Sequence, residues 1–196
     1  IAIITDDNAG FRKEELSQYE DLFVIGMPTI INGETYYENV NITQEQFYEF
    51  LEMNADVKTS QPTPGSVLEL WDNLLKEYEY ILHVPMSSGL SKACDTAKML
   101  ANDYNGRVIV IDNHRISVTL KRSILDAINL SKRGVEPIEI KNILEETKSD
   151  STIFIMVDTL KYLKKGGRVS ASAAALGSAL HIKPILNIDG GLLEPL

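Results

Sequence analysis

Short apolar runs alternate along the chain with stretches whose apolar residues recur at helical spacing, and this alternation predicts a parallel sheet flanked by helices. Strands are expected at Ile1 to Thr5, Phe23 to Ile30, Tyr80 to Pro85, Val108 to Asp112, Ile153 to Val157 and Ile185 to Ile188. Thr43 and Gln46 make a capping box ahead of a helix reaching about Met53, with Phe47, Phe50 and Leu51 on one face. Val67, Leu70, Trp71, Leu74 and Leu75 form a second stripe. Ile140, Ile143 and Leu144 form a third, entered through Gly134 and Pro137. Asn32-Gly33, between Ile30-Ile31 and Tyr36-Tyr37, is a hairpin signal, so a small antiparallel excursion is expected. The pattern changes after the polar Ser149-Asp150-Ser151, which places a domain boundary there and divides the chain into residues 1–150 and 151–196. Ala171 to Ala175 reads as an Ala-rich helix start.

Composition narrows the function classes. A chain of 196 residues, 44% hydrophobic, has room for one large domain or two small ones. No apolar run is long enough to span a bilayer, and Ile1 to Asp6 reads as a strand rather than a signal peptide, so cytoplasmic residence is expected. The start without methionine and the strand-like end at Leu192 to Leu196 point to a fragment. One cysteine, Cys94, allows no internal disulfide and no thiolate metal cluster. A formal charge of −9 argues against a sequence-independent grip on nucleic acid, which needs clustered cations to displace counterions. Neither a dinucleotide fingerprint nor a P-loop is present, and Ser88 does not sit in a nucleophile elbow. His83, His114 and His181 lack metal-ligand spacing; His83 and His181 read as structural and His114 as a rim residue.

Three stretches carry candidate chemistry. In Thr59-Ser60-Gln61-Pro62-Thr63-Pro64-Gly65 the prolines hold Gln61 and Thr63 out of the α region and present hydroxyls able to donate to an anion without adding charge. The same residues fit an ordinary helix entry, with Thr63 as N-cap and Pro64 in the first turn. Met86-Ser87-Ser88-Gly89-Leu90-Ser91 follows a strand end, where α/β sheets bind ligands, so Ser87, Ser88 and the Gly89 amide suit an anion. Capping of the next helix by Ser87 or Ser88 is the alternative. Asp6, with Asp7 and Asn8, falls at the same edge and suits orienting hydroxyls or capping a helix. In Lys164-Lys165-Gly166-Gly167-Arg168-Val169-Ser170, Arg168 offers a planar cationic fork, while Gly166 also fits a plain C-cap. Ala173, Leu176, Leu180, Ile182, Ile185 and Leu186 supply apolar surface for a core or for the wall of a channel.

These three motifs in this order, with Ile3-Ile4-Thr5-Asp6 and Gly177-Ser178-Ala179-Leu180-His181-Ile182-Lys183-Pro184-Ile185-Leu186, closely resemble the DegV family of bacterial fatty-acid-binding proteins over essentially the whole chain. The resemblance implies an α/β fold of two domains: an N-terminal three-layer α/β/α parallel sheet, and a two-layer α/β domain with a mixed sheet, incomplete here. It implies one long-chain, palmitate-like fatty acid held between the domains, with no other cofactor. Its carboxylate would be met by Thr59, Ser60, Ser87, Ser88 and Gly89, with Arg168 near the head group. A fatty acid kinase subunit would be the partner that makes the acyl phosphate, so this chain is expected to be a carrier rather than a catalyst, with no nucleic-acid partner and at most transient membrane contact. The alternative is a phosphoryl or acyl transfer enzyme using the Gly166-Gly167-Arg168 loop. This chain departs from the family pattern at Asp7-Asn8, where serines are common, at Lys92, where glycine is common, and at the bulky Ser117-Val118-Thr119-Leu120. A head-group histidine of the family lies beyond Leu196.

Overall fold

The computed structural model describes residues 1–170, 172, 183–188 and 191–196. Strand β1 (Ala2–Asp6) leads through helix α1 (Lys13–Leu16) to β2 (Leu22–Ile25). An antiparallel unit follows, made of β3 (Thr29–Ile31), β4 (Glu34–Tyr36), α2 (Gln44–Glu52) and β5 (Val57–Thr59). Next come α3 (Pro64–Leu74), β6 (Ile81–Val84), α4 (Ala93–Ala101), β7 (Val108–Val110), α5 (Ser117–Lys132) and α6 (Pro137–Glu146). Beyond residue 150 lie β8 (Ile153–Met156), α7 (Lys161–Gly166), β9 (Ile185–Ile188) and β10 (Glu194–Pro195).

The main sheet has the order β2-β1-β6-β7, every pair parallel. Its strands are apolar on both faces because both faces are covered. Ile3 and Leu82 share a core with Leu120, Ile124 and Ala127 of α5 and with Ile140 and Leu144 of α6. The alternate positions, Ala2, Ile4, Ile81, Val108 and Val110, pack with Val67, Trp71 and Leu74 of α3 and with Cys94 and Ala97 of α4. The period-2 alternation of side chains thus produces three layers, helices on each side of the sheet. Trp71 is wholly buried and stands edge-on to His83 and Tyr104, with ring centroids 5.6 and 5.3 Å away. Burial pushes the Cys94 thiol up to about 12, so it behaves as a small packed residue and not as a nucleophile.

The expected run Phe23 to Ile30 is two strands. Gly26-Met27-Pro28 interrupts it, and Pro28, without an N–H, cannot continue the ladder. The chain therefore leaves the parallel sheet and pairs β3 with β4 and β5 in a second, antiparallel sheet. Asn32 and Gly33, at φ 51° and 90°, make the expected hairpin turn. The capping box also forms: Thr43 Oγ1 accepts the Gln46 N–H at 3.3 Å and Gln46 Oε1 accepts the Thr43 N–H at 2.9 Å. Polar contacts tie this unit to α7. Lys161 Nζ donates to Asn54 Oδ1 at 2.8 Å, the Tyr162 hydroxyl to the Leu51 carbonyl at 3.1 Å, and Lys165 Nζ to Asp56 Oδ1 at 2.5 Å.

A third sheet, β10-β9-β8, is antiparallel, and an isolated parallel bridge joins Val169 to Leu193. Leu160, Val169, Leu186 and Leu193 belong to the same core as α5 and α6. The Ala171 to Ala175 helix start (Ser172 apart), His181, and the apolar positions Ala173, Leu176, Leu180 and Ile182 lie outside the described residues. Among those described, no helix is long and apolar enough to cross a membrane.

Ile124 is fully buried on the inner face of α5, so Ile124→Ala is expected to cost about 2–5 kcal/mol in urea unfolding, while Val118→Ala on the exposed face of the same helix stays within about 0.5 kcal/mol. Acid sensitivity is a second expectation. Burial lowers the His83 imidazole to about 4, well below its ordinary value. Between that pH and about 6.5 the unfolded chain binds the extra proton, so stability contributed at this site falls on acidification. Unfolding across this window should show His83→Gln losing less stability than the parent, by up to about 3 kcal/mol; parallel curves would refute the assignment.

Candidate functional site

The four parallel strands end at one edge; the loop after β6 carries the serine motif, while the Thr59-Ser60 loop leaves β5 and Arg168 follows α7. At the end of β1, Asp6 is only 1% exposed. Its Oδ1 accepts the Asn8 backbone and side-chain N–H groups at 3.1 and 3.0 Å, and its Oδ2 accepts the Met86 N–H at 2.7 Å. Burial raises this carboxyl, and the three donors oppose the rise. Asp7 turns to the other neighbour: its Oδ2 accepts the Met27 N–H at 2.8 Å. Burial pushes it up to about 6; the Met27 N–H opposes the rise, and weaker repulsion from Asp6 and Glu38 adds to it. Two consecutive acids, the last residue of the central strand and the one after it, thus fasten the loops that follow β6 and β2.

The loop after β6 is a closed turn. The Ser87 N–H donates to the Arg115 carbonyl at 2.9 Å, the Ser87 carbonyl accepts from Leu90 and Ser91, and Ser87 Oγ accepts the Gly89 N–H at 3.2 Å. Ser87 is wholly buried, Ser88 half-buried and Gly89 exposed. Neither serine caps the next helix: α4 begins at Ala93, with Lys92 at the cap position. The Ser88 N–H donates to Asp112 Oδ1 at 3.3 Å, and its hydroxyl bonds the same carboxylate. Lys98 Nζ reaches Asp112 Oδ2 at 3.2 Å. Burial works against ionisation of Asp112, but the Ser88 bonds and the Lys98 charge outweigh it and hold the carboxyl below its ordinary value.

Arg168 arrives from 78 residues further along and lands on this loop. Gly167, at φ 70°, closes α7 in the left-handed conformation, so the C-cap is Gly167 rather than Gly166. The reversal brings Arg168 Nε to the Leu90 carbonyl at 3.2 Å, while Nη1 donates to the Gly166 carbonyl. The first hydroxyl loop is attached less directly. Thr59 ends β5 opposite Thr29, and the Ser60 N–H donates to the Pro28 carbonyl at 2.9 Å, next to the Met27 held by Asp7. Both residues are exposed, and neither hydroxyl has a hydrogen-bond partner among the described residues. The helix-entry reading holds for the rest of the stretch: Thr63 Oγ1 accepts the Ser66 N–H at 3.1 Å and Pro64 opens α3. Gln61 anchors the loop to Thr96 of α4.

Sequence reasoning missed Asp112 and Arg115. Arg115 is 8% exposed; Nη1 donates to Ser123 Oγ at 2.9 Å and Nη2 to the Thr147 carbonyl at the end of α6. No charge pattern marks a buried arginine, since most arginines are solvated. His114 and Ser117 flank this stretch at φ 55° each, uncommon values for residues with a Cβ. His114 lies at the rim, as expected, with Nε2 3.8 Å from Asp112 Oδ2. No cluster of His, Cys, Asp and Glu side chains among the described residues is arranged to hold a metal ion. Two cavities lie away from these loops: one of about 210 Å³ by Ile3, Leu22 and Ile128, and one of about 320 Å³ by Tyr36, Ile42, Phe50 and Met53.

Comparisons with known proteins give this edge a context. The family model described as "Uncharacterised protein, DegV family" matches residues 1–196. The chain is 35% identical over 192 residues to a DegV domain-containing protein of Staphylococcus aureus, covering 98% of this chain and 68% of that protein. It is 32% identical over 198 residues to Protein DegV of Bacillus subtilis, covering 100% of this chain and 70% of the relative. The crystal structure of Bacillus subtilis DegV, described as a fatty acid binding protein, matches with a TM-score of 0.84 at 30% identity, over 100% of this chain and 70% of that one. A Thermus thermophilus structure, described as fatty acid binding of a DegV family protein, matches with a TM-score of 0.89 at 25% identity and the same coverage. With its whole length matched by the family model and its fold shared with these structures, the chain belongs to the DegV family.

Proposed function

We propose that this chain binds one long-chain, palmitate-like fatty acid and presents its carboxylate to a separate kinase subunit for acyl phosphate formation, without being a catalyst itself. The head group is assigned to Thr59, Ser60, Ser87, Ser88, Gly89 and Arg168. The observation that carries the reading is the contact of Arg168 Nε with the Leu90 carbonyl, which sets a permanent cation beside the serine loop at the sheet edge. The relatives described as fatty-acid-binding support the ligand class. Division of the chain near residue 150 belongs to the same reading, since Arg168 is supplied by the second segment and the hydroxyls by the first, as do cytoplasmic residence and no more than transient membrane contact.

The energetics divide between tail and head. Burying a chain of about sixteen carbons at roughly 0.8 kcal/mol per methylene yields on the order of 10 kcal/mol before entropic costs. The polar loops have the narrower task of satisfying carboxylate oxygens that would otherwise be buried unpaired. Thr59 and Ser60 bring uncommitted hydroxyls to that task. Ser87 contributes through the turn it shapes, since its Oγ holds the Gly89 amide. The geometry does not favour phosphoryl or acyl transfer at the glycine loop. The Gly167 and Arg168 amides, which a phosphate cradle would need, donate to the Lys164 and Leu163 carbonyls at 3.1 Å each and close α7 instead.

Mass spectrometry of an organic extract of the purified protein is expected to show a stoichiometric fatty acid; an empty protein that also rejects added palmitate and oleate would overturn the reading. Thr59→Ala and Ser87→Ala should each lower lipid retention several-fold, on the order of 1 kcal/mol per lost hydrogen bond, with thermal stability little changed for Thr59→Ala. Retention unchanged in both variants would remove these loops from the head-group site. ATP-dependent acyl phosphate should form only when a fatty acid kinase subunit is added, and turnover by the isolated chain would instead support the transferase alternative.

A further inference from the structure

Asp6, the last residue of β1, and Asp7, which opens the turn after it, hold different loops, and only Asp7 is linked to the loop with the exposed hydroxyls. Asp7 Oδ2 receives the Met27 N–H, and the following residue, Pro28, receives the Ser60 N–H through its carbonyl. Asp7 is therefore linked to the Thr59–Ser60 loop through one short stretch of backbone. The Met27 N–H favours its ionised form, but the charged groups that act on it are of its own sign. Asp6, at the end of β1, precedes it, and Glu38, from the segment after β4, adds a second repulsion. From the same segment the Tyr37 ring packs over Gly26 close to the Asp7 carboxyl. Helix α5 packs against the turn that Asp7 begins, but its Lys121 ammonium is held by Glu15 at 2.6 Å. No ion pair reaches Asp7 among the described residues.

A carboxylate docking at this edge brings a further negative charge to a group that already has two acidic neighbours. Electrostatic repulsion is relieved if a proton accompanies it. We propose that Asp7 is a positioning residue that couples head-group binding to the uptake of one proton, so that the site accepts a carboxylate without accumulating its charge. This rests on the fatty-acid reading above. The step is simple in its balance: a solvent proton adds to one Asp7 carboxyl oxygen, and Oδ2 goes on accepting the Met27 N–H, so the loop stays fastened in both states. Burial already lifts the free Asp7 carboxyl toward neutrality, and a bound carboxylate lifts it further. Affinity is then full where Asp7 is protonated in both states, and declines as pH rises through the free and then the bound value.

The test uses dodecanoate and its uncharged analogue dodecanol, with dissociation constants measured from about pH 5 to about pH 8 on the parent and on Asp7→Asn, which keeps the oxygen that accepts Met27. For the parent, the dodecanoate constant is expected to rise about tenfold across this range, and for Asp7→Asn to stay flat to within about threefold. Dodecanol should show no slope in either protein. Ionisation of the ligand itself is common to both proteins and cancels in the comparison. Calorimetry of dodecanoate binding in buffers of different ionisation enthalpy should report proton uptake by the parent near neutrality and none by the variant. Equal slopes in parent and variant, or no proton uptake by the parent, overturn the coupling while leaving lipid binding intact. Absence of dodecanoate binding at every pH overturns both the coupling and the reading beneath it. Should Asp7→Asn fail to fold, the parent calorimetry decides alone.

Discussion

The bond from Met86 N–H to the Asp6 carboxylate governs the arrangement of the sheet edge. Central strand β1 is buried along its whole length, so the polar group that ends it has no water to turn to and must find donors in the protein. The donors available are backbone amides of the chain just leaving the sheet, and accepting them fixes where that chain goes next. Met86 is pinned, and the Ser87 turn follows from it. Asp7 repeats the device on the opposite neighbour through Met27. A desolvation problem at one strand end is thus solved by ordering two loops on either side of it, anchored at Met27 and at Met86.

The parallel sheet and its two helical layers were legible because both faces are apolar and the flanking stripes keep helical period, from Val67 to Leu75 and from Ile140 to Leu144. Legibility failed where a local break competed with an apolar run. Phe23 to Ile30 looks continuous, yet Pro28 removes one donor and redirects the chain into another sheet. Strand β5 escaped notice because Val57-Lys58-Thr59 is short and largely exposed, and pairing with β3 rather than burial makes it a strand.

The candidate site divides in the same way. Hydroxyls, glycines and Arg168 are visible as motifs, and Arg168 does meet the serine loop. Residues that act by supporting others leave no motif. Asp112 holds Ser88, and the carbonyl of Arg115 holds the Ser87 amide, yet in the sequence they are an acid at a strand end and a solitary base. Pairing of that kind depends on two loops meeting, which spacing along one strand cannot reveal. The cap readings were half right for the same reason: Thr63 satisfies a neighbouring amide three residues away, a local event, whereas the role of Ser87 depends on Arg115, in the segment between β7 and α5.

The antiparallel unit and the parallel sheet are held by different forces. Apolar burial holds the sheet, and salt leaves that largely untouched or strengthens it. The unit meets α7 through exposed lysines on Asn54 and Asp56 and a tyrosine on a carbonyl. The Lys165 and Asp56 pair is screened by mobile ions on a scale of about 8 Å at physiological ionic strength. Ionic strength therefore addresses one joint of this molecule and passes over its core, and the joint it addresses is built from α7, the helix whose end delivers Arg168 to the sheet edge.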